Sequence, residues 1–383
     1  MAEYSIDQML PKSEVVEAAY LERMLSNLSS SYKLFWFKGI FTEILKGSVR
    51  LEFKQVVARM IAAAWYPVVY YNLSLGFNDK LADAIRYMRD CLGIRREEKE
   101  ETIVSIICES TDKQLLKMIR DFTNLVPYRL IRPFYQQEIE QARRASSGFS
   151  DHKINGLIQY FNSRDEGRAL YIMDAIQGTL TIAPGWIDYM KTNAAVVEGW
   201  LNFKLIKYIQ ERNPNVPAIP FKIFAPTPGS RNLKAATEYW DTVSEQLPLY
   251  DIYSQKLFTK DSFAQWGGES IDHFIPWSFV LHNEIWNLYP MFKTMNIQKN
   301  NKLPVLERYL PVFCEYQYKA FLVAKNVKRL KKITDQFLNV KSDIYSICDS
   351  DRGQDAFCQA LRQTIEPLYQ IASNQGYETW WYG

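Results

Sequence analysis

Hydrophobic residues recur at intervals of three and four over most of the first 212 residues, with polar residues between them. That spacing places the apolar side chains on one face of a helix. The first such stretch follows Ser13, a candidate N-cap, and aligns Leu21, Met24, Leu25 and Leu28. The pattern predicts further helices at residues 34–47, 51–75, 79–92, 98–109, 112–124, 128–145, 151–161, 167–177 and 185–211. We therefore expect a large helical N-terminal region over residues 1–212.

A change in composition marks the end of this region. Residues that break helices are concentrated in 213–230, namely Pro214, Pro217, Pro220, Pro226, Pro228 and Gly229. Ser230 is then a candidate N-cap for a helix that carries Leu233, Ala236 and Trp240. We expect a proline-rich connection and a lead-in helix over residues 213–248.

The helical pattern returns after Pro304. One later segment places Phe357, Leu361, Ile365 and Leu368 on one face of a helix. The chain then ends in the aromatic sequence YETWWYG, which either docks onto the core or meets a partner. We expect a helical C-terminal region over residues 304–383.

Between these regions, acidic, imidazole and carboxamide side chains occur at fixed intervals. Residues 271–304 read IDHFIPWSFVLHNEIWNLYPMFKTMNIQKNNKLP, with Asp272 beside His273, Asn287 within WNLYP, and Asn296 followed by Lys299. This order and spacing resembles the HNH, or ββα-metal, nuclease motif in the variant whose last histidine is an asparagine. That variant occurs in the HNH domain of RNA-guided CRISPR nucleases, and the motif is similar to bacterial HNH nucleases of the restriction and anti-phage defence type.

The resemblance implies a fold for residues 249–303. In the family fold a first strand precedes the Asp-His pair and pairs with its strand, and we assign DIYSQKL, residues 251–257, to that first strand. A helix from about Thr294 is expected to lie over the strands, with Asn296 and Lys299 on nearly the same face. The expected fold class is therefore mainly α, with a small ββα-metal (HNH) nuclease module between the two helical regions.

The resemblance also assigns a role to each side chain of the motif. His273 is the expected general base, because imidazole has the side-chain pKa nearest neutral pH. Asp272 and Asn296 are the expected metal ligands. Asn287 is expected to hold its loop through hydrogen bonds to backbone groups. Lys299 either stabilises the scissile phosphate or contacts the backbone.

The ligand set predicts which metal is used. An incomplete shell of oxygen ligands favours one Mg²⁺ or Mn²⁺ ion over Zn²⁺. In a regular strand Asp272 and His273 would point to opposite faces, so the strand should end at this pair, and Pro276 fits that ending. Many family members bind a structural zinc through two CxxC pairs, but the five cysteines here lack that spacing, so no zinc is predicted.

The charge balance confines any nucleic-acid surface to a local patch, because 46 basic and 43 acidic residues give a net charge of only +3. The segment KNVKRLKK is the main candidate. A continuous helix here would oppose an apolar face (Val323, Val327, Leu330, Ile333 and Phe337) to a basic one (Lys325, Lys328, Arg329 and Lys332). This basic face either contacts phosphates or is a solvated surface. Arg231, which opens the lead-in helix, forms either an ion pair or a phosphate clamp.

The cysteines, the first residues and the most apolar run indicate the cellular compartment. The odd number of scattered cysteines indicates free thiols in a reducing environment. The first residues, MAEYSIDQMLPKSE, are too polar for a secretory signal. The most apolar run, residues 60–71, is too short to cross a bilayer and contains Pro67, so it predicts a buried helix. We expect a cytoplasmic protein without a membrane span.

These observations predict a divalent-metal-dependent endonuclease that acts on nucleic acid. DNA is favoured over RNA, and the resemblance implies 5′-phosphate and 3′-hydroxyl products and a defence or restriction role. Two alternatives stay open. The module binds nucleic acid without cutting it, or the chain is a helical interaction or sensor protein whose module is activated by a partner or ligand. The partner would be another protein or a second copy of the chain. The complete set Asp272, His273 and Asn296 favours cutting.

Overall fold

The computed structural model describes residues 10–145, 150–165, 167–226 and 231–382. The chain divides into two compact units. The first contains residues 1–214 and 219–225, and the second contains residues 215–218 and 226–383. Helices account for most of the described residues, which confirms the predicted mainly α fold class.

The first unit is built mainly from helices. Their bounds are α1 (Ala19–Met24), α2 (Tyr32–Leu45), α3 (Phe53–Trp65), α4 (Lys80–Asp90), α5 (Glu100–Glu109), α6 (Lys113–Thr123), α7 (Val126–Ile131), α8 (Gln136–Ala145), α9 (Asp151–Asn162), α10 (Pro184–Thr192), α11 (Ala194–Arg212) and α12 (Ile219–Lys222). Its antiparallel sheet has the order β1–β3–β2, formed by β1 (Arg50–Glu52), β2 (Tyr171–Asp174) and β3 (Thr179–Ile182). Helix α11 ends at Arg212, two residues before Pro214, and the predicted helix over residues 185–211 is divided at Asn193 into α10 and α11.

The most apolar run of the sequence lies at the centre of this unit. Residues 60–71 continue α3 into a π-helical turn, Tyr66–Tyr70, and all but Tyr70 are buried. Pro67 has no N–H to donate, which fits the change of hydrogen-bonding pattern at this point. The predicted buried helix is therefore confirmed. Within the described ranges, no helix combines the length and apolar character needed to span a bilayer.

Two local predictions for the first unit are wrong. Residues 167–177 form strand β2 and its turn rather than a helix, because Tyr171 and Met173 are buried while Ile172 is exposed, a period of two. The Asp174 carboxylate accepts the N–H groups of Ile176 and Gln177, and this side-chain turn starts the hairpin. Ser13 accepts from nearby backbone N–H groups, but the first helix begins only at Ala19.

The second unit combines helices with short strand pairs. Its helices are α13 (Lys234–Ser244), α14 (Lys260–Trp266), α15 (Trp277–Val280), α16 (Lys293–Lys299), α17 (Leu306–Ala324), α18 (Lys331–Thr334), α19 (Ile344–Cys348) and α20 (Gly353–Asn374). Its strands are β4 (Glu269–His273), β5 (Leu288–Phe292), β6 (Leu303–Pro304) and β7 (Thr379–Trp380). The predicted N-cap Ser230 lies outside the described residues, and the lead-in helix begins at Lys234.

The strand that pairs with β4 is not the predicted one. Strand β5, which follows the Asp-His pair, forms the antiparallel partner of β4. Residues 251–257 instead form a turn closed by a bridge between Tyr250 and Leu257. The reason is the buried Asp251 carboxylate, which accepts the N–H groups of Tyr253 and Ser254 at 3.0 and 2.7 Å and so bends the chain.

The predicted basic helix is also interrupted. Helix α17 ends at Ala324, and the chain continues through a 3-10 turn, Lys328–Leu330, before α18. The apolar positions Leu330, Ile333 and Phe337 are buried as expected, but they reach the core through short turns. A single helical face that carries all four basic residues is therefore absent from this described segment.

The aromatic chain end docks onto the second unit. Strand β7 pairs with β6 in parallel, and Tyr377 and Trp380 are buried. Trp381 remains 59% exposed. The sequence left open whether the chain end docks onto the core or meets a partner. Most of this segment docks onto the core.

Candidate active site

The Asp-His pair stands at the end of a two-stranded hairpin. Strands β4 and β5 are in register, with Asp272 opposite Tyr289 and His273 opposite Leu288. Strand β4 ends at His273, as the sequence predicts, and Pro276 then caps the short helix α15. Helix α16 follows β5 without a loop. This ββα arrangement places the Asp-His pair on β4, Asn287 in the 3-10 turn just before β5, and Asn296 and Lys299 on α16.

Helix α16 covers the face of β4 that carries Asp272. The Lys299 ammonium group donates to Asp272 Oδ2 at 2.7 Å and to the His273 carbonyl oxygen at 2.8 Å. One turn earlier, Asn296 Nδ2 donates to Ser270 Oγ at 2.7 Å. Lys299 is fully buried and Asp272 is 5% exposed. The helix thus positions both predicted metal ligands through direct contacts with the strand.

Asp272 has a second cationic neighbour. Arg231 Nη2 lies 3.8 Å from Asp272 Oδ1, and its guanidinium carbon lies 5.8 Å from the centre of the Trp277 ring. The Arg231 side chain is half exposed, whereas Lys299 is buried. One carboxylate therefore faces two cations. The excess positive charge suits an anionic substrate group.

His273 addresses a different set of partners. Its Nε2 lies 3.1 Å from the carbonyl oxygen of His282 and 3.1 Å from Asn283 Oδ1. Because a carbonyl oxygen only accepts, Nε2 carries the proton and Nδ1 carries the lone pair in the neutral ring. Nδ1 is buried and has no hydrogen-bond partner among the described residues. The contacts thus fix one tautomer with a free basic nitrogen.

Burial sets the protonation state of this ring. It lowers the pKa of His273 to about 4, with the charges of Arg231 and Lys299 acting in the same direction and Asp272 acting against them. His273 is 1% exposed. The imidazole is therefore neutral at pH 7 with its lone pair available, but burial makes it a weaker base than the free imidazole on which the sequence prediction relied.

The lowered pKa predicts a pH effect on stability. Between pH 6.5 and about 4 the unfolded chain binds a proton at His273 that the folded chain does not. The free energy of unfolding should not depend on His273 above pH 6.5. It should fall by about 3 kcal/mol as pH drops towards 4, at about 1.36 kcal/mol per pH unit. Chemical denaturation at pH 7, 6, 5 and 4.5 would measure it. A His273→Gln variant should show a flatter dependence, and equal slopes in the two proteins would contradict the assignment.

The loop between β4 and β5 is fixed by a buried carboxamide. Asn287 accepts the Ile275 N–H at 2.9 Å and donates to the Ile275 carbonyl oxygen at 3.0 Å. The backbone carbonyl oxygen of Asn287 accepts the Phe274 N–H at 2.8 Å. Asn287 is fully buried. These bonds tie the two ends of the loop together behind His273.

Helices after the motif also hold this loop. Gln317 on α17 donates to the carbonyl oxygens of Ile285 and Leu288 at 3.3 and 2.8 Å. Gln336 accepts the Ile285 N–H at 2.7 Å. The C-terminal helices of this unit therefore contribute directly to the shape of the site.

Sequence reasoning missed three residues that contact the motif. Ser270 could have been found, because it lies two positions before Asp272 and shares its strand face. Asn283 and Gln317 gave no comparable indication, since their contacts depend on the loop path and on helix packing. Asn283 also donates to the Asn232 carbonyl oxygen at 3.2 Å, which links the lead-in segment to the partner of His273.

The basic residues predicted after the motif have separate environments. Lys325 pairs with Asp349, and Arg329 donates to Thr242 Oγ1 at 3.0 Å. Lys328 and Lys332 are exposed. The contacts described for these four side chains do not include Asp272 or His273.

The oxygen donors of the site fit a hard divalent cation. Asp272 offers a carboxylate and Asn296 a carboxamide oxygen, since Asn296 Nδ2 is the atom that donates to Ser270. In the part of the chain that the structure describes, no group of three or more His, Cys, Asp or Glu residues could hold a metal. Asp272 Oδ2 already accepts from Lys299, so a cation at this site would bind Asp272 through Oδ1, on the side of Arg231, and would take its remaining ligands from water and substrate oxygens.

Comparison with known proteins identifies one region. Residues 251–305 match the family model described as HNH endonuclease. No curated protein and no solved structure matches the chain. The matched segment contains β4, β5 and α16 with their side chains. It indicates nuclease activity, and it implies a nucleic-acid substrate.

Proposed function

We propose that the chain is a divalent-metal-dependent endonuclease that hydrolyses phosphodiester bonds of nucleic acid, with DNA as its substrate. The observation that carries this proposal is the fixed tautomer of His273. Its free Nδ1 lies on the residue next to Asp272, at the end of a strand covered by Asn296 and Lys299. General-base catalysis requires such a neutral, oriented imidazole.

His273 accepts the proton of the attacking water at Nδ1. Nε2–H remains donated to the His282 carbonyl oxygen and to Asn283 throughout, so the imidazolium that forms is held by two acceptors. Asn287 keeps the loop that supplies these acceptors in place. The protein therefore orients the base before the substrate arrives.

Asp272 and Asn296 would hold one Mg²⁺ or Mn²⁺ ion through oxygen atoms. When bound, such an ion stabilises the negative charge that develops on the phosphate. The sequence left two roles open for Lys299. Its buried ammonium contacts Asp272 and the His273 backbone, which favours a positioning role over contact with the phosphate.

Basic side chains of this unit would contact the phosphate backbone. Arg231 is half exposed beside Asp272, so it can exchange its ion pair for a substrate phosphate. Lys328 and Lys332 are exposed and provide further cations, whereas Lys325 and Arg329 already have partners. By family resemblance the biological role would be restriction or anti-phage defence.

One observation favours the alternative in which the module is activated by a partner or ligand. His273 and Asp272 are 1% and 5% exposed, and the lead-in residues Arg231 and Asn232 contact the site. Substrate entry therefore requires these residues to move. Cleavage by the purified chain without any other protein would exclude a partner requirement.

The direct test of the proposed function is a substrate panel. Purified protein is incubated with plasmid, linear duplex, single-stranded DNA and RNA, each with Mg²⁺, Mn²⁺ or a chelator. We expect cleavage of DNA with either ion and none with the chelator. Cleavage of RNA alone would overturn the DNA assignment, and cleavage in chelator would overturn the metal requirement.

Asn296→Ala should weaken the response to metal. The change removes an oxygen ligand but leaves His273 and Asp272 in place, so the Mg²⁺ concentration for half-maximal cleavage should rise. A titration of cleavage rate against Mg²⁺ measures the shift. The control is Gln298→Ala, which removes an exposed carboxamide from the same helix. Superimposable titrations of wild type and Asn296→Ala would remove Asn296 from the ligand set.

A further inference from the structure

The second unit carries three cysteines on neighbouring helices. Cys314 lies on α17, Cys348 at the end of α19 and Cys358 on α20, and all three are free thiols. Cys314 and Cys348 are buried, whereas Cys358 is partly exposed. Of these three thiols, Cys358 is therefore the one that a reagent in solvent reaches most readily.

The packing of α17 against α20 brings two of these thiols together. Phe357 precedes Cys358 on α20, and its ring lies 5.5 Å from the rings of Tyr318 and Phe321 on α17. Cys314 lies one turn before Tyr318, on the same face of α17. The Cys314 thiol donates a hydrogen bond to the Cys358 sulfur. A buried thiol is thus in direct contact with a partly exposed one.

The surroundings of Cys358 favour its thiolate, which is the form that reacts with oxidants. The hydrogen bond from Cys314 lowers the pKa of Cys358, and Arg362, one turn later, acts in the same direction while burial opposes both. Burial instead raises the pKa of Cys348 to about 11. Within this cluster, Cys358 combines access with thiolate character.

We propose that Cys358 and Cys314 form a redox-active thiol pair, which hydrogen peroxide converts into an intrachain disulfide between α17 and α20. This modification site does not depend on the proposed nuclease function. It does lie on the helix that supports the loop of the candidate active site, because Gln317 follows Cys314 by three residues on α17.

The reaction has two steps and needs no reagent besides peroxide. The Cys358 thiolate attacks a peroxide oxygen, so that an S–O bond forms, the O–O bond breaks, and the released hydroxide takes up a proton to become water. The Cys314 sulfur then attacks the sulfenic sulfur, so that the S–S bond forms and the hydroxyl group leaves as water with the Cys314 proton. The pKa of Cys314 is raised by its hydrogen bond to the Cys358 thiolate, by burial and by the thiolate charge. Because the sulfenic acid is no longer a thiolate, the first step eases deprotonation of Cys314.

Peptide mapping of the oxidised full chain tests the proposal. Reduced protein is treated with a small molar excess of hydrogen peroxide, the remaining thiols are alkylated, and the digest is analysed by mass spectrometry. We expect the peptides of Cys314 and Cys358 to be joined, with both thiols recovered after addition of dithiothreitol. A bond between Cys358 and Cys348 would overturn the pair assignment.

Cys91 provides the matched control, because it is exposed and lies in the first unit. If exposure alone set reactivity, Cys91 would be oxidised before Cys358. The proposal predicts the reverse order, which the alkylation of each cysteine over time measures, and an unchanged disulfide yield for Cys91→Ser. A thiol pair that is still reduced after Cys91 has been oxidised would contradict the proposal.

Serine variants assign the order of the two steps. Cys314→Ser should lose the disulfide completely and stop at the sulfenic acid of Cys358, which dimedone traps. Cys358→Ser should leave Cys314 reduced, because the remaining thiol is buried. Dimedone labelling of Cys314 in that variant would show that the assigned roles are wrong. Thermal unfolding of the reduced variants checks that the fold is retained, and the map of the wild type tests the disulfide without any substitution.

Discussion

His273→Ala is expected to slow cleavage by about 10²–10⁴-fold, the usual contribution of a general base. The change removes Nδ1, the buried nitrogen without a partner that would accept the proton of water. It leaves Asp272, Asn296 and the basic side chains unaltered, so nucleic-acid binding should stay near the wild-type value. Single-turnover cleavage rates and gel-shift binding measure the two effects separately.

His282→Ala provides a matched control for this experiment. His282 contributes its backbone carbonyl oxygen to His273, and its ring packs 5.1 Å from the ring of Trp286. Alanine keeps that carbonyl group, so cleavage should remain within a few-fold of wild type. If both histidine variants cut at the wild-type rate, His273 is not the base. If they lose activity equally, the loss reflects damage to the loop.

The second large effect is expected from Lys299→Ala. Asp272 is only 5% exposed, and this change removes the ammonium group that lies 2.7 Å from its carboxylate. Removing one member of a buried ion pair typically costs about 3–5 kcal/mol of unfolding free energy. Urea unfolding, monitored by hydrogen exchange of peptides from residues 269–299, would measure the loss of unfolding free energy in the unit that carries the site. An unchanged unfolding midpoint would contradict this account of the pair.

Two further variants test whether pairing is the cause. The double change Asp272→Asn with Lys299→Met removes both charges, so it should recover much of the lost stability while remaining inactive. Lys319→Ala breaks a surface pair with Glu315, whose two side chains are each 44% exposed, and should cost less than about 1 kcal/mol. Equal losses from Lys299→Ala and Lys319→Ala would show that burial does not strengthen the first pair.

The family resemblance of residues 271–304 predicted the strand and the helix that carry the motif. The strand ends at His273, a helix begins within one residue of Thr294, and Lys299 lies one turn after Asn296. These features depend on spacing within single elements, which a sequence states directly. The structure therefore bears out the position of the strand and the helix, which local patterns set, while the roles of their side chains stay predictions.

The features that the sequence did not predict depend on hydrogen bonds between different segments of the chain. Residues 251–257 alternate as a strand would, yet Asp251 also accepts the Phe292 N–H at 3.0 Å, a contact with a distant residue. The bond of Gln317 to Leu288 likewise spans 29 residues, and the bond of Asn283 to His273 depends on the path of the loop between them. Propensity and periodicity carry no information on such pairings.

The helical first unit shows the same division. The buried helix over residues 60–71 was predicted from its hydrophobicity. The β2–β3 hairpin was not predicted, because its apolar residues fit the period of a helix as well as that of a strand. The turn at Asp174 decided between the two structures through hydrogen bonds of one side chain. Secondary structure was thus predictable where one period dominates.

The most direct measurement of the central claim is a paired cleavage assay. Wild type and His273→Ala are incubated with the same plasmid DNA, first in chelator and then after addition of excess Mg²⁺. The account predicts that only the wild type cleaves, and only after Mg²⁺ is added. Equal cleavage by the two proteins, or cleavage by the wild type in chelator, would contradict the assignment of His273 and the metal-ligand pair.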